Sequence, residues 1–546
     1  MATRSLARSR IGILMLLLLL VGALMGAATT KTEDAKLTAS DAASERYFGR
    51  RVSISGDTIA ISDGTPFWGS IYIFVRDGNS WAEQAVIRSP VGGLDGFGGG
   101  FALSADTLFV GAAYDDKFGA DAGVTYVFER DGVVWNYKTL IAPADIEAGD
   151  HFGSSVDASA DTLAISAGHD DKKGQESGSV YVFTRSGGSW TEQAILTASD
   201  AAPFDYFGAA SISGSTIVAG ASGNDDAGSN SGAAYVFERT GDDWTETAKL
   251  AANDANWGDW FGSPVVVDGD TLLIGSSGDD DLGPESGSVY AYVRVANEWI
   301  RQAKLRPSDG AADDRFGSSI GLSGDVAVIG APRHDGAGTW SGAAYVFVRN
   351  GTSWSEQGRL TTSDAAADQQ LGSSAQMQGT FAVVGAIGTR DAGHRTGAAY
   401  LFDVTSIGPP PCTIVGTASD DVLVGTDGRD VICGRGGNDT IYGKGGDDVL
   451  RGGPGNDTIF GGYGFDRITG NTGNDRLVGG ARADSILGGP GNDVLRGKAG
   501  DDRLEGNRGD DWLWGAKGDD ALIGGSGLDS CDGGRGSNTF STCEWR

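Results

Sequence analysis

Two hydrophobic rhythms divide the chain. Up to about residue 404, short runs of alternating apolar and polar residues recur with a period near 55, four runs to a period. The period that opens at Phe152 reads SVDAS, then TLAISAG after a tight turn, then SVYVF, then a run that starts at Trp190 and passes through E-Q-A-I-L. From Gly416 onward the rhythm shortens to nine. Thirteen aspartates stand nine residues apart from Asp421 to Asp529, each followed two places on by an apolar residue (Leu423, Ile432, Ile441, and so on to Leu522, then Cys531) and preceded five places back by a glycine. Alternation over so few residues, bounded by Gly, Ser and Asp, predicts strands and turns throughout.

A Phe-Gly pair marks each long repeat, at Phe48, Phe97, Phe152, Phe207, Phe261 and Phe316, with Leu371-Gly372 as a seventh copy. Four short strands to a repeat of this length predict the blades of a β-propeller, here seven-bladed and spanning residues 29–405. The seventh repeat stops at Asp403 without its Trp-bearing fourth strand. The missing piece stands at the other end of the chain, where Leu37-Thr38-Ala39-Ser40-Asp41-Ala42-Ala43 matches Leu196-Thr197-Ala198-Ser199-Asp200-Ala201-Ala202. In both segments the leucine lies eleven residues before the next Phe-Gly. A strand at 34–39 is therefore expected to close blade seven and remove the open sheet edge. The fold class is all-β, a seven-bladed β-propeller followed by a parallel β-roll.

The segments F-G-S-S, V-I-G-A-P and S-G-A-A-Y-V-F, as they stand between Phe316 and Phe347, resemble the FG-GAP repeats of the integrin α-chain propeller and their secreted relatives. One departure matters. Family blades often carry a D-x-D-x-D-G calcium loop between the first two strands, whereas here that connection is only S-G-D-T or S-A-D-T, too short to wrap a cation. The loops between the second and third strands are acidic (Asp115-Asp116, Asp170-Asp171, Asp225-Asp226, Asp279-Asp280-Asp281). They serve either as a ligand or calcium face or simply as turns. The repeated tryptophans at 81, 135, 190, 244, 299 and 354 likewise read as packing between blades or as a platform for sugars.

Prolines 409–411 predict a stiff linker over 406–411, and residues 412–546 form the second module. Its unit is G-G-x-G-x-D-x-U-x, fitted at every position by Gly488-Gly489-Pro490-Gly491-Asn492-Asp493-Val494-Leu495-Arg496. This resembles the repeats-in-toxin (RTX) calcium repeats, in which six residues turn, three form a strand, and two nonapeptides make one coil. Asp439, Asp457 and Asp475 then stack on one edge, and Asp430, Asp448 and Asp466 on the other. Calcium takes roughly six to eight oxygens and is the cofactor implied, several ions to the array. The expected ligands are Asp430, Asp439, Asp448, Asp457, Asp466, Asp475, Asp493, Asp502, Asp511 and Asp520, with the backbone carbonyls of Gly434, Gly436, Gly443, Gly445, Gly452, Gly488, Gly497 and Gly506. Ser419 and Arg482 replace a turn glycine and Asn538 replaces the final aspartate, so the sites at both ends and around Arg482 are expected to be poorer. Without the ion, stacked carboxylates repel across a thin core, so folding and metal binding should be one event.

Charge and composition narrow the function. Glycine makes up 90 of 546 residues against 13 prolines, so the chain is turn-rich, and 40% hydrophobic content is ample for packed cores. A net charge of −31 favours divalent cations and disfavours nucleic acid and anionic membranes. Arg4, Arg8 and Arg10, an apolar run from Ile11 to Met25 and Gly26-Ala27-Ala28 follow the order of a secretory signal peptide over 1–28, with an uncleaved anchor as the alternative. No later segment is apolar enough to cross a membrane. Export permits disulfides, and the pairs Cys412–Cys433 and Cys531–Cys543 would staple the two ends of the roll, the alternative being free thiols. The four histidines are scattered, and no H-E-x-x-H, G-x-S-x-G or P-loop pattern stands in a supporting context. The reading is a secreted or cell-surface calcium-binding protein, not an enzyme, with the propeller binding an extracellular protein or glycan. The alternative is an extracellular hydrolase or lyase acting on polysaccharide or lipid, with its site in the propeller.

Overall fold

A computed structural model describes residues 29–543 apart from 65–68, 79, 296–297, 351–352, 392, 405–411, 413, 429, 447 and 537. The expected signal peptide at 1–28 and the linker at 406–411 lie outside the described residues. The chain divides into two compact units, Met1–Gly408 and Pro409–Arg546.

The first unit is a seven-bladed propeller of antiparallel sheets. A representative blade pairs Phe152–Ser159 with Thr162–Ala167, Ser179–Ser186 and Ser189–Leu196 in sequence order. Each Phe-Gly phenylalanine is almost fully buried and meets the tyrosine of its own blade's third strand, as Phe152 meets Tyr181 edge-on at 5.5 Å and Phe48 meets Tyr72 at 5.2 Å. The following glycine is needed for a close approach. A Cβ on Gly111 would run into the backbone of Gly153 in the next blade, and Gly153 itself has φ +94°. The fourth-strand tryptophans wedge between blades. Trp190 meets Phe109 of the preceding blade edge-on at 5.2 Å, and the Trp244 indole N–H donates to Gln193 Oε1 at 3.1 Å. Their packing is thus interblade; the Trp135 and Trp244 indole N–H groups are bonded across the junction, whereas those of Trp299 and Trp354 are buried without a partner among the described residues.

Closure uses the same parts as three of the other junctions. Ala35–Leu37 pairs antiparallel with Ala398–Asp403, Lys36 opposite Tyr400, and supplies blade seven's fourth strand. Glu33 accepts from the Ser363 N–H at 2.8 Å and from its hydroxyl at 2.5 Å. Glu83 holds Ser40, Glu246 holds Ser199 and Glu356 holds Ser308 by the same two bonds. The residues before that strand add something the repeat pattern did not contain. Thr29–Thr32 runs parallel to Ser353–Thr361 as a fifth strand on blade six.

The second unit is a parallel β-solenoid of two sheets, eight and seven strands, in which each residue pairs with the one eighteen places on. Its core is a single column, from Ile432 and Ile441 to Leu522 and Cys531, no member more than 2% exposed. Cys412–Cys433 and Cys531–Cys543 are disulfides at the two ends of the column. Most strands run to six residues, as in Thr440–Gly445, rather than the expected three. The ladder continues through the first half of the turn because residues there, such as Lys444 at φ +76°, take a left-handed backbone and still pair.

The Glu33 latch is testable. Glu33→Ala should cost about 1–2 kcal/mol for two charge-assisted bonds at a partly exposed site, lowering the propeller's calorimetric midpoint by roughly 2–4 °C per kcal/mol. Glu33→Gln, which keeps one acceptor, should recover part of the loss.

Candidate metal centre

Most of the propeller's acidic loops already hold a cation of their own. The Lys304 ammonium lies 2.9 Å from Asp254, 2.6 Å from Asp279 and 2.7 Å from Asp281. Lys249 sits between Asp200 and Asp226, Lys172 between Asp145 and Asp170, and Lys36 between Asp364 and Asp391. The buried third-strand tyrosines complete these clusters, Tyr290 donating to Asp254 at 2.7 Å and Tyr126 to Asp115 at 2.6 Å. A lysine amid such carboxylates gains more from them than burial removes, so the Lys304 pKa rises despite desolvation. Three of the four acidic loops thus carry a lysine, whereas Asp115 is held by Tyr126.

Among the described residues of the β-roll, no lysine is set within the stacked aspartates in this way. Along each edge an aspartate's Oδ1 accepts the main-chain N–H of the aspartate one coil earlier. Asp421 N–H donates to Asp439 at 2.8 Å, Asp439 to Asp457 at 2.8 Å and Asp457 to Asp475 at 2.7 Å. On the other edge Asp448 donates to Asp466 at 3.0 Å and Asp484 to Asp502 at 2.8 Å. Oδ2 of Asp439, Asp457, Asp475, Asp484, Asp493, Asp502, Asp511 and Asp520 is buried without a hydrogen-bond partner among the described residues. It faces the glycine five places back. A Cβ on Gly434 would overlap Asp439 Oδ2 and stand 2.5 Å from the Gly452 carbonyl oxygen of the next coil. The glycine thus leaves a space bordered by a carboxylate oxygen and a carbonyl. Orphaned buried oxygens of this kind fit a hard divalent cation. Among the described residues no three His, Cys, Asp or Glu side chains converge on one point, so the donor set is one carboxylate column plus main-chain carbonyls.

Most expected residues stand in this arrangement, with instructive exceptions. Asp448, Asp457, Asp466, Asp475, Asp493, Asp502, Asp511 and Asp520 are 2% exposed or less and face glycines 443, 452, 461, 470, 488, 497, 506 and 515 in the same way. The carbonyls of Gly434, Gly443, Gly452, Gly488 and Gly506 border the equivalent spaces. Asp430 does not fit the expected role. Its Oδ2 accepts the Thr426 N–H at 2.6 Å and hydroxyl at 2.8 Å, because Thr426 occupies the turn position where later coils carry a left-handed residue. At the turn position of Gly436 and Gly445, later coils use the carbonyl as a ladder acceptor, Pro454 receiving from Gly437 at 3.1 Å and Pro490 from Gly473 at 3.0 Å. Asp484, omitted from the expected set because Arg482 replaces a glycine, has the same open oxygen. Arg482 takes φ +82° and preserves the turn. At the far end Asn538 keeps the ladder, accepting from Asp520 at 2.8 Å, but turns its amide nitrogen toward Gly533 and offers a donor where a cation needs an acceptor.

Burial, reinforced by stacked neighbours, raises these acids. Asp484 is pushed up to about 8, Asp493 and Asp502 to about 7, and Asp457, Asp475 and Asp511 to about 6, burial leading in each case. The metal-free roll therefore holds protons that the unfolded chain, titrating near 4, has already released. Its stability falls as pH rises from about 4 toward 8.

Six segments of the propeller, residues 32–74, 135–183, 190–237, 244–292, 299–347 and 354–402, match the model of the FG-GAP repeat, more than half the chain. Residues 415–540 match, in overlapping copies, the model of the RTX calcium-binding nonapeptide repeat. Human integrin alpha-11 is 32% identical over 129 residues, which cover 21% of this chain and 11% of that protein. The chain thus spans only about a tenth of that relative's length.

Two measurements probe the centre. In chelator, residues 412–546 should gain β circular dichroism on acidification from pH 8 to 5, and calcium affinity should rise with pH over the same window; a pH-independent calcium titration would contradict the burial argument. Gly452→Ala, whose Cβ would overlap Asp457 Oδ2, should cost about 1–3 kcal/mol and weaken calcium binding. Gly428→Ala, with only Thr426 Oγ1 nearby at 3.8 Å, should be tolerated.

Proposed function

The chain belongs to the FG-GAP repeat family, and from that premise we propose a secreted or cell-surface protein that folds its β-roll on calcium and binds an extracellular protein or glycan through its propeller. The observation that carries the calcium half is the column of buried carboxylate oxygens without donors, beside a propeller in which three of the four acidic loops carry their own lysines. Asp439, Asp448, Asp457, Asp466, Asp475, Asp484, Asp493, Asp502, Asp511 and Asp520 would hold the ions. Bound calcium supplies the positive charge that lets these carboxylates ionise inside the fold. The residues themselves orient Oδ2 through the Oδ1 ladder and exclude side chains through the facing glycines. The role is structural, with no bond made or broken.

Support for the binding half comes from one propeller face. At six of the seven junctions, two residues in left-handed backbone lie side by side. Tyr206 N–H bonds to Glu176 O at 3.2 Å, Trp260 to Asn230 at 3.0 Å, Arg315 to Glu285 at 3.0 Å and Gln370 to Trp340 at 3.0 Å, all with φ between +50° and +58°. Bulky residues pay for that conformation where glycine would not. The frame is constant at these junctions while its side chains differ, an arrangement suited to recognition. At the junction with His151, the imidazoles of His151 and His169 meet Nδ1 to Nδ1 at 3.0 Å, which repeat spacing did not reveal. Large exposed rings flank this ring of junctions, Trp257 at 73% and Phe204 at 45%. Among the described residues no helix is long and apolar enough to cross a membrane.

Residues 412–546 should be unfolded in chelator at pH 7.5 and fold at roughly millimolar calcium or below; calcium-independent structure there would remove the first half of the proposal. For the second half, the whole protein is screened against matrix proteins and glycans, then repeated with Trp257→Ala and Tyr206→Ala. Loss of about tenfold or more in affinity is expected from at least one of them.

A further inference from the structure

The propeller encloses a central channel of about 1210 Å³, lined mostly by small residues and hydroxyls. In six of the blades the two residues after the Phe-Gly or Leu-Gly pair line it, and outside blade one they are Ser154-Ser155, Ala209-Ala210, Ser263-Pro264, Ser318-Ser319 and Ser373-Ser374. Blade one breaks the pattern with Arg50-Arg51. Two successive arginines replace two small residues, in a chain whose net charge is −31.

Neither arginine has a carboxylate. The Arg50 guanidinium makes one long bond, to the Gly64 carbonyl at 3.4 Å. Among the described residues the Arg51 guanidinium has no hydrogen bond, ion pair or ring contact; only its main chain is engaged, with Ser62. Arg51 is exposed, but to the lumen of a channel enclosed by seven blades. That enclosure, followed by the like charge of Arg50, pushes its pKa down to about 10. Two aspartates also line the channel, and both are occupied elsewhere. Asp157 accepts from Ile212 N–H at 2.9 Å and Ala158 N–H at 2.9 Å, and Asp268 from Gly324 N–H at 2.7 Å. A guanidinium open to the channel whose nearest charge is another cation is left with its donors free for a group from outside the chain. Its planar fork of donors suits a tetrahedral oxyanion, and the walls of the channel focus the attraction.

We infer that the propeller channel is an anion site in which Arg51, assisted by Arg50, binds a sulfate or phosphate group, either as the free ion or as the terminal group of an acidic saccharide. The site is independent of the calcium roll and of the outer ring of junction residues.

The test uses the calcium-loaded full chain, titrated with sulfate against chloride at constant ionic strength by isothermal calorimetry. Saturable binding at one sulfate per chain is expected. Arg50→Ser with Arg51→Ser restores the pair found after Phe152, and should fold while losing about tenfold or more of the affinity. Arg51→Lys, which keeps the charge, should retain part of it. Arg51→Gln alone carries the test should the double variant misfold. A monosaccharide sulfate that binds at least as tightly as sulfate assigns the site to a terminal group, and one that is excluded while sulfate binds assigns it to the free ion. Absence of saturable sulfate binding, or equal binding by the arginine variants, would overturn the inference.

Discussion

A carboxylate taken out of water needs either a proton or a positive partner, and much of this molecule's architecture follows from that requirement. In the propeller the partner is built in. Lys304 among Asp254, Asp279 and Asp281 neutralises its loop and fixes the buried Tyr290 hydroxyl beside it. In the β-roll the partner is left out. Oδ1 along each edge is used to tie one coil to the next, and Oδ2 of aspartates such as Asp439, Asp457 and Asp475 is buried with nothing to accept from among the described residues. One unit supplies cations for its buried carboxylates from its own sequence, whereas the other leaves buried carboxylate oxygens open.

Both units are repeats, and a repeat must be finished at its ends. The ring has no ends once Ala35–Leu37 completes blade seven, and Glu33 holds that junction with the bonds used elsewhere. The roll cannot close on itself. A disulfide stands at each end of its core column, Asn538 ends the carboxylate ladder with an amide, and Thr426 closes off Asp430 at the start. Cation spaces are thereby confined to the middle of the stack.

Within so regular a scaffold, chemistry resides where one copy departs from the rest. The junction ring varies its side chains over a fixed left-handed backbone, bringing His151 to His169 in one place and leaving an exposed Trp257 nearby in another. Arg50 and Arg51 interrupt a channel of small residues. Because the backbone is held by its neighbours, each substitution changes chemistry at little cost to the fold.

Period and phase alone determined the architecture. Strands of period two in repeats near 55 make blades, and a nine-residue Gly-Asp-aliphatic unit makes coils, because side-chain alternation and turn stereochemistry are local properties of the chain. Closure of blade seven was legible too, since Leu37 keeps the same distance from Phe48 as Leu196 from Phe207. What the sequence could not show was which oxygens remain open. Asp430 and Asp439 look alike in the repeat, yet only the folded turn reveals that Thr426 consumes one and Arg435 leaves the other free. Arg482, which as a residue type argues against a tight turn, adopts the left-handed backbone because the stacked coils above and below impose it. Likewise a lysine among three aspartates, two histidines sharing a contact and an arginine facing an enclosed lumen are relations between distant residues. Pairing and burial are set by three-dimensional proximity, and so only the tertiary structure decided them.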